Sequence, residues 1–274
     1  MARSENLPVL PQAVSQVMKL ADDPNSSQKD LEKAFERDPA ITAKILKVAN
    51  SAYYGGTQVP TIGRAISFLG MTTIRSLVVG VAFQQVVGNR TEVRGFDKLV
   101  YWRHSLATAV SSRILGKLTM PAKSEELYCA GMMHDIGLLI LERFLPKELE
   151  ESIELSTKSG RPLLECEKKF MDFDHLEVGS LLTEKWGLSD LIIQAIRHHD
   201  APNNDRAFNE TTKLVHFANK IADFAGYPCF GAQVPLTEEQ LAKQTGLPQA
   251  QIPVILQVVR AELDKAQDSF KIAA

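Results

Sequence analysis

The chain has 274 residues, of which 45% are hydrophobic, 23% charged and 7% aromatic, and its formal net charge is −2. A chain of this length and apolar content can bury a substantial core, so disorder over most of its length is excluded. The near-neutral charge argues against binding bulk nucleic acid or a membrane surface through a basic face. The three cysteines are in no CxxC spacing, which argues against a disulfide framework or a zinc ribbon and favours a reducing compartment.

The N-terminal residues and the apolar runs predict a cytoplasmic protein. Residues 1–6 contain no apolar region of the signal-peptide type. The longest strongly apolar run, residues 77–83, is far shorter than the roughly 20 residues that span a bilayer. We therefore expect a cytoplasmic location and no association with a membrane.

The first 90 residues show helical periodicity throughout. Pro11, Ser27 and Asp38 each suit the first turn or the cap of a helix whose apolar residues recur at helical spacing. Residues 62–69 are predicted to form a short helix that a glycine ends. The following helix, at about residues 72–87, is apolar on nearly all sides, so we expect it near the centre of the fold.

Helical periodicity continues beyond residues 88–95, a short polar segment that we interpret as the boundary between two halves. The predicted helices of the second half lie at about residues 97–118, 124–135, 138–144, 147–158, 161–170, 175–186, 190–199 and 210–225. Two last helices are predicted at residues 238–244 and 249–266. No succession of strand-like segments is visible, which argues against an α/β sheet.

The sequence therefore predicts an all-α fold. Residues 1–90 are expected to form an N-terminal helical subdomain, residues 91–228 a second helical bundle, and residues 229–274 a C-terminal helical tail. The tail does not suit DNA binding, because its last helix carries a single arginine, Arg260, among several acidic residues.

The histidines are concentrated between residues 104 and 216. His134 is followed by Asp135, and an imidazole and a carboxylate at a helix end can bind one cation, with the carboxylate able to bridge two. Taken alone, such a pair favours an ordinary capping or packing role. His104 lies on a stripe of small residues and is predicted to face inward, either beside a ligand or as a buried, hydrogen-bonded histidine.

The remaining histidines lie close to predicted helix ends or on polar faces. His175 is in the first turn of its helix, where Asp174 suits the N-cap. His198 and His199 end a helix, where a protonated imidazole also suits the helix dipole. Of these two, His199 continues the apolar stripe and is the better candidate for an inward position. His216 lies on a polar face and is predicted at the surface.

Taken together, the histidines and their surroundings resemble one known family. Their order is similar to the ligand series of the HD superfamily of metal-dependent phosphohydrolases, and most similar to the HDOD branch, the HD-related output domain of bacterial signalling proteins. The supporting motifs are residues 7–11, 38–42, 49–55, 65–70, 131–137, 175–179, 186–188 and 195–199. The resemblance spans about residues 7–220.

The resemblance implies an N-terminal helical subdomain packed on an HD-like multi-helix bundle that holds a metal centre. The ligands of one ion would be His104, His134 and Asp135, and those of a second would be His175 with His198 or His199. Asp135 would bridge the two ions and, in an active enzyme, would act with a metal-bound water of lowered pKa on a phosphoester. Such donors accept iron, manganese, nickel or zinc, so one or two divalent ions are the expected cofactor.

Three departures from the family pattern bear on activity. Asn219 stands where catalytic HD proteins carry a last aspartate, and a neutral amide oxygen is a weaker ligand than a carboxylate, which predicts a degenerate metal site. Leu138 stands where active HD-GYP enzymes often have lysine, and residues 200–204 do not match the GYP signature. A cyclic-dinucleotide phosphodiesterase is therefore disfavoured.

Several functions stay open at this point. The first is a regulatory protein that acts by binding a signalling protein partner or a ligand. The second is an active metal-dependent phosphohydrolase that acts on a nucleotide or another phosphoester, and the third is nucleotide binding without turnover between the subdomains. Residues 50–55 are interpreted as structural, with Asn50 at a helix end and with Tyr53 and Tyr54 packing on the second half.

Overall fold

The computed structural model describes residues 12–23, 25–51, 54, 58–87, 93–230 and 237–269. Over these ranges the chain is helical, and the extended structure is limited to an isolated bridge between Val93 and Phe96. The all-α prediction is confirmed. Pro11, Tyr53 and residues 88–92 of the predicted boundary lie outside the described residues, and the division into three domains stays a prediction.

Five helices precede the predicted boundary. They are α1 (Gln12–Asp22), α2 (Gln28–Glu36), α3 (Pro39–Ala49), α4 (Ile62–Leu69) and α5 (Met71–Val87). Ser27 caps α2 in a reciprocal capping box with Asp30, and the side chain of Asp38 caps α3. α5 packs against α1, α3 and α4 and also against α7 of the second half, which fits a sequence that is apolar on nearly all sides.

The second half is built around one long helix. Its helices are α6 (Lys98–Thr119), α7 (Ser124–Met133), α8 (Ile136–Phe144), α9 (Pro146–Ser159), α10 (Leu163–Met171), α11 (His175–Lys185), α12 (Asp190–His198), α13 (Asn209–Phe224), α14 (Glu238–Thr245) and α15 (Ile252–Ser269). α6 packs against α7, α13 and α15, and α11 packs against both α8 and α12. These contacts bring the residues around His134 into the interior of the bundle.

The interpretation of residues 50–55 as structural is consistent with the positions of Asn50 and Tyr54. The Asn50 side chain accepts a hydrogen bond from the amide of Val59 at 2.6 Å and donates one to its carbonyl at 3.2 Å, which closes the loop after α3. The hydroxyl of Tyr54 accepts a 3.5 Å hydrogen bond from Arg113 of α6. Tyr54 therefore contacts the second half, as predicted.

Two residues of types that are common at helix ends, Gly116 and Ser189, make tertiary contacts instead. Gly116 does not end α6, which continues to Thr119, because a glycine is needed there for close packing: a Cβ on Gly116 would lie 2.9 Å from the Cα of Ser124. Ser189 occupies the N-cap of α12, but its hydroxyl donates to Glu126 instead of capping the helix. In both places a tertiary contact replaces the local role.

Close approach of α8 and α11 depends on glycine. A Cβ on Gly137 would lie 1.8 Å from the carbonyl oxygen of His175, and one on Gly179 would lie 3.1 Å from the amide nitrogen of Gly137. The two helices therefore cross with their backbones nearly in contact. This crossing places the first turn of α11, with His175, directly beside Asp135.

None of the described helices is by itself long and apolar enough to cross a membrane. One consecutive pair, Ile62–Leu69 with Met71–Val81, reaches the necessary length and apolarity together, and the two helices are bent by 118° relative to each other.

The helix crossing yields a stability prediction. Gly137→Ala should lower the free energy of unfolding by at least about 1–3 kcal/mol, because the added methyl group meets a backbone carbonyl that cannot rotate away. Thermal unfolding followed by circular dichroism measures the change. Thr157→Ala, on the exposed side of α9, is the control and should leave the midpoint unchanged; equal midpoints for both variants would contradict the close packing.

Candidate metal centre

His134 and Asp135 form the break between α7 and α8. His134 is the residue that follows α7, and Asp135 occupies the N-cap position of α8 without a capping hydrogen bond from its side chain. The carboxylate is therefore not used to cap the helix. It points instead into the bundle, where the whole residue is only 7% exposed.

Four imidazoles surround this carboxylate, each through its Nε2 atom. On one side, Oδ2 of Asp135 lies 3.1 Å from His134 and 3.8 Å from His104. On the other side, Oδ1 lies 3.4 Å from His175 and 3.3 Å from His199. All four histidines are buried, with exposures between 0% and 5%. The carboxylate thus has two histidines on each oxygen.

The other ring nitrogen of each histidine is held by an acceptor. The Nδ1–H groups of three of them donate to backbone carbonyls: His104 to Tyr227 at 2.7 Å, His134 to Gly131 at 2.8 Å and His199 to Ile196 at 3.1 Å. The fourth, His175, donates to the carboxylate of Glu167 at 2.8 Å. Because a carbonyl oxygen can only accept, these contacts assign the Nδ1–H tautomer to a neutral ring.

This tautomer directs lone pairs at an acceptor. In the neutral rings, each Nε2 would face the Asp135 carboxylate with a lone pair, and Nε2 of His104 would face Nε2 of His134 at 3.2 Å. Such an arrangement is repulsive unless cations, either protons or metal ions, lie between the atoms. The site therefore requires positive charge.

The donor set fits divalent metal ions. With metal–ligand bonds of about 2.0–2.1 Å, two ligands of one ion are separated by about 3.0–3.4 Å. The His104–His134 and His134–Asp135 separations fall in this range, as do those from Asp135 to His175 and His199. Among the described residues, the candidate ligands form two groups that could each hold an ion. One group is His104, His134 and Asp135, and the other is Asp135, His175 and His199.

Burial and the neighbouring charges shift the pKa values of the cluster in different directions. Burial raises the pKa of Asp135, but the charge of His134 and hydrogen bonds from three histidines hold it well below its usual value. Burial and the neighbouring His134 lower the pKa of His104 to about 4. Burial also lowers the pKa of His175 and of His199, yet the facing carboxylates outweigh it and raise both. Asp135 is thus an anion that attracts cations at normal pH.

The predicted site residues are not all members of this cluster. His198 is half-buried at the end of α12 and belongs to neither ligand group, so His199 is the member of the pair that faces inward. His216 is half-buried and not at the surface as predicted, because its Nδ1–H donates to the carbonyl of His199 at 2.7 Å. Leu138 is fully buried in the core.

Asn219 lies on the face of α13 that packs on the cluster. Three residues before it, His216 contacts the His199 carbonyl, and four residues after it, Oδ1 of Asp223 lies 3.7 Å from Nδ1 of His104. Among the described residues, Asn219 Oδ1 and Asp223 Oδ1 are buried without a hydrogen-bond partner. The Asp223 oxygen lies on the Nδ1 side of His104, away from the Nε2 atom that faces Asp135.

Three polar residues near the cluster were not predicted from the sequence. Burial raises the pKa of Asp223 to about 7, and its position one turn after Asn219 could have indicated a shared face. Glu167 contacts His175 through a turn between two helices, and helical spacing gives no signal for such a contact. Asp200 follows His199 directly, and its Oδ1 lies 3.9 Å from Nε2 of that histidine.

The geometry agrees with the comparisons to known proteins. The HDOD domain matches residues 7–202, and the chain belongs to this family. An uncharacterized protein of Treponema pallidum (strain Nichols) is 23% identical over 225 residues, which are 81% of this chain and 43% of that protein. The chain thus spans less than half the length of that curated relative.

Solved structures share the fold. A provisionally named phosphohydrolase from Shewanella amazonensis SB2B is 23% identical, with a TM-score of 0.78 over 98% of this chain and 96% of its own. An HDOD domain protein of unknown function from Geobacter sulfurreducens is 20% identical, with a TM-score of 0.78 over 97% of this chain and 94% of its own. At these identities the likeness establishes the HD-like helical architecture.

The cluster should titrate in separate steps in the metal-free protein. His104 should remain neutral down to about pH 4, so between pH 6.5 and about 4 it lowers stability as the pH falls. His175 and His199 should stay protonated above 6.5, and their stabilisation is lost as the pH rises through their raised pKa values. Long-range ¹H–¹⁵N NMR of the imidazole nitrogens measures each titration. A common midpoint near 6.5 for all three rings would contradict this electrostatic picture.

Proposed function

We propose that this chain is a metal-binding HDOD regulatory protein of the bacterial cytoplasm, which acts by binding a signalling protein partner or a small ligand. One or two divalent ions, of iron, manganese, nickel or zinc, are bound by His104, His134, Asp135, His175 and His199. Asn219 contributes at most a weak, neutral donor. His198 is not a ligand in this proposal.

The convergence of four Nε2 atoms on one buried carboxylate carries the proposal. The rings are oriented by fixed acceptors on their far nitrogens, which is the arrangement by which proteins hold metal-ligating histidines. On both oxygens of Asp135, the distances to the histidine Nε2 atoms match those between two ligands of one metal ion.

A regulatory role follows from what metal binding does to the bundle. The ligands come from α6, from the α7–α8 break, from α11 and from the end of α12. One ion would connect α6 to the α7–α8 break, the other would connect that break to α11 and to the end of α12, and α5 links α7 to the N-terminal subdomain. Because binding to the folded state alone stabilises it, metal loading strengthens this framework, and a partner would recognise the loaded form.

A phosphohydrolase is the second candidate, and Asp200 favours it. This residue is 38% exposed at its side chain although its Oδ1 lies only 3.9 Å from Nε2 of His199, so one side of the cluster reaches solvent. A bound ion would supply a water of lowered pKa for attack on a phosphoester. Asp135 would hold that side of the site, while Asn219 leaves it one negative charge short of the catalytic HD pattern.

Metal content tests the proposal directly. Untagged protein prepared without chelator should contain stoichiometric metal by elemental analysis. The His134→Ala variant should lose most of that metal, because the substitution removes the Nε2 donor of His134 and the contact that orients the Asp135 carboxylate. His198→Ala is the matched control, since it removes a histidine one residue from the cluster, and it should keep the metal.

Absence of metal in the wild-type protein, together with no uptake on addition, would contradict the proposal and leave the histidines as packed polar residues. His134→Gln is a second variant of similar volume for the case in which His134→Ala does not fold. If the folded variant loses metal but keeps its protein partner, signalling by protein binding is independent of the ions.

A charge restored at position 219 tests the hydrolase candidate. Asn219→Asp should raise phosphoesterase activity on para-nitrophenyl phosphate by about tenfold or more over wild type, because the added carboxylate compensates the charge of a bound ion. Asn204→Asp adds the same charge at an exposed position and should have no effect. Metal-loaded Asn219→Asp protein with no gain in activity would count against a site that is merely one ligand short.

A further inference from the structure

Glu167 is a fully buried carboxylate, with 0% exposure, on α10 outside the ligand cluster. We propose that it is a positioning residue, which orients His175 and selectively strengthens the ion held by His175, His199 and Asp135. This inference rests on the proposed metal binding, taken with two ions, one in each ligand group. It predicts that the affinity for one ion depends on Glu167 and that the affinity for the other does not.

The contacts of Glu167 are concentrated on one residue. Its Oε1 and Oε2 lie 3.0 Å and 2.8 Å from Nδ1 of His175, and Oε2 also accepts the backbone amide of His175 at 3.0 Å. Both the ring and the main chain of His175 are thus tied to the same carboxylate. The imidazole is held with Nε2 directed at Oδ1 of Asp135, 3.4 Å away.

The turn between α10 and α11 is also held by charged contacts. Lys168, next to Glu167, pairs with Asp174 at 2.9 Å, and Asp174 caps α11 by accepting the amide of Glu177 at 2.9 Å. Glu167 and His175 are therefore fixed from both sides of the turn. The position of His175 is determined by this segment as much as by the crossing of α8 and α11.

The asymmetry between the two halves of the cluster gives Glu167 its specific role. The other three histidines are oriented by neutral backbone carbonyls, and among the four only His175 has a carboxylate within hydrogen-bond distance of Nδ1. The carboxylate near Nδ1 of His104, that of Asp223, is 3.7 Å away. A carboxylate on the far nitrogen makes Nε2 a stronger donor and fixes the ring, and loss of such a partner typically lowers metal affinity about 10–100-fold. Only the ion that His175 binds should feel this loss.

Glu167→Gln tests the role while keeping the size of the side chain and an acceptor oxygen for His175. Titration of the metal-free protein with Co²⁺, followed by calorimetry and by visible absorption of the bound ion, gives the affinity and coordination of each site. One of the two ions should bind about 10–100-fold more weakly, and the other should bind as in wild type. Glu165→Gln, on the exposed face of the same helix, is the control and should bind both ions normally.

A double-mutant cycle separates positioning from a merely structural role. In a His175→Ala background, Glu167→Gln should cause no further loss of Co²⁺ affinity, because its effect passes through the missing ring. Additive losses, or wild-type binding of both ions by Glu167→Gln, would overturn the inference while leaving the proposed metal binding intact. Failure of the wild-type protein to bind Co²⁺ at all would overturn the proposed function itself, and this inference with it.

Discussion

The second half of this protein is organised around the buried carboxylate of Asp135. An anion inside a helical bundle is stable only when cations or donors surround it. Here four imidazoles surround the carboxylate, and each is held by a hydrogen bond at Nδ1 so that Nε2 points inward. With the rings neutral, the arrangement lacks charge, which is why protons or metal ions belong to the folded state.

The backbone is shaped to bring these side chains together. Asp135 can point inward because the chain breaks between α7 and α8, and His175 can approach it because Gly137 lets α11 pack against the α8 backbone. α13 packs against α6 and α12 and carries Asn219 and Asp223, and Oδ1 of Asp223 lies 3.7 Å from Nδ1 of His104. The close helix packing that glycine allows is thus required for the histidines to reach Asp135.

The sequence named all five residues that the structure brings together around Asp135, but it did not name the residues that orient them. The His-Asp pair and the spaced histidines are local signals, and resemblance to the HDOD family joined them. The order of residues could not choose between His198 and His199, since both end α12; burial of His199 against Asp135 makes that choice. Glu167 escaped notice because its contact with His175 crosses a turn, where side-chain direction depends on how two helices pack.

The sequence by itself determined the all-α class and most helix bounds to within a few residues, because periodicity and caps are local properties. The candidate metal ligands came from the order of the histidines and its resemblance to the HDOD family. Only the tertiary structure decided which of those residues meet, how each ring is oriented and where Gly116 and Ser189 serve packing in place of helix ends. These outcomes depend on contacts between segments distant along the chain, and no local pattern encodes such distances.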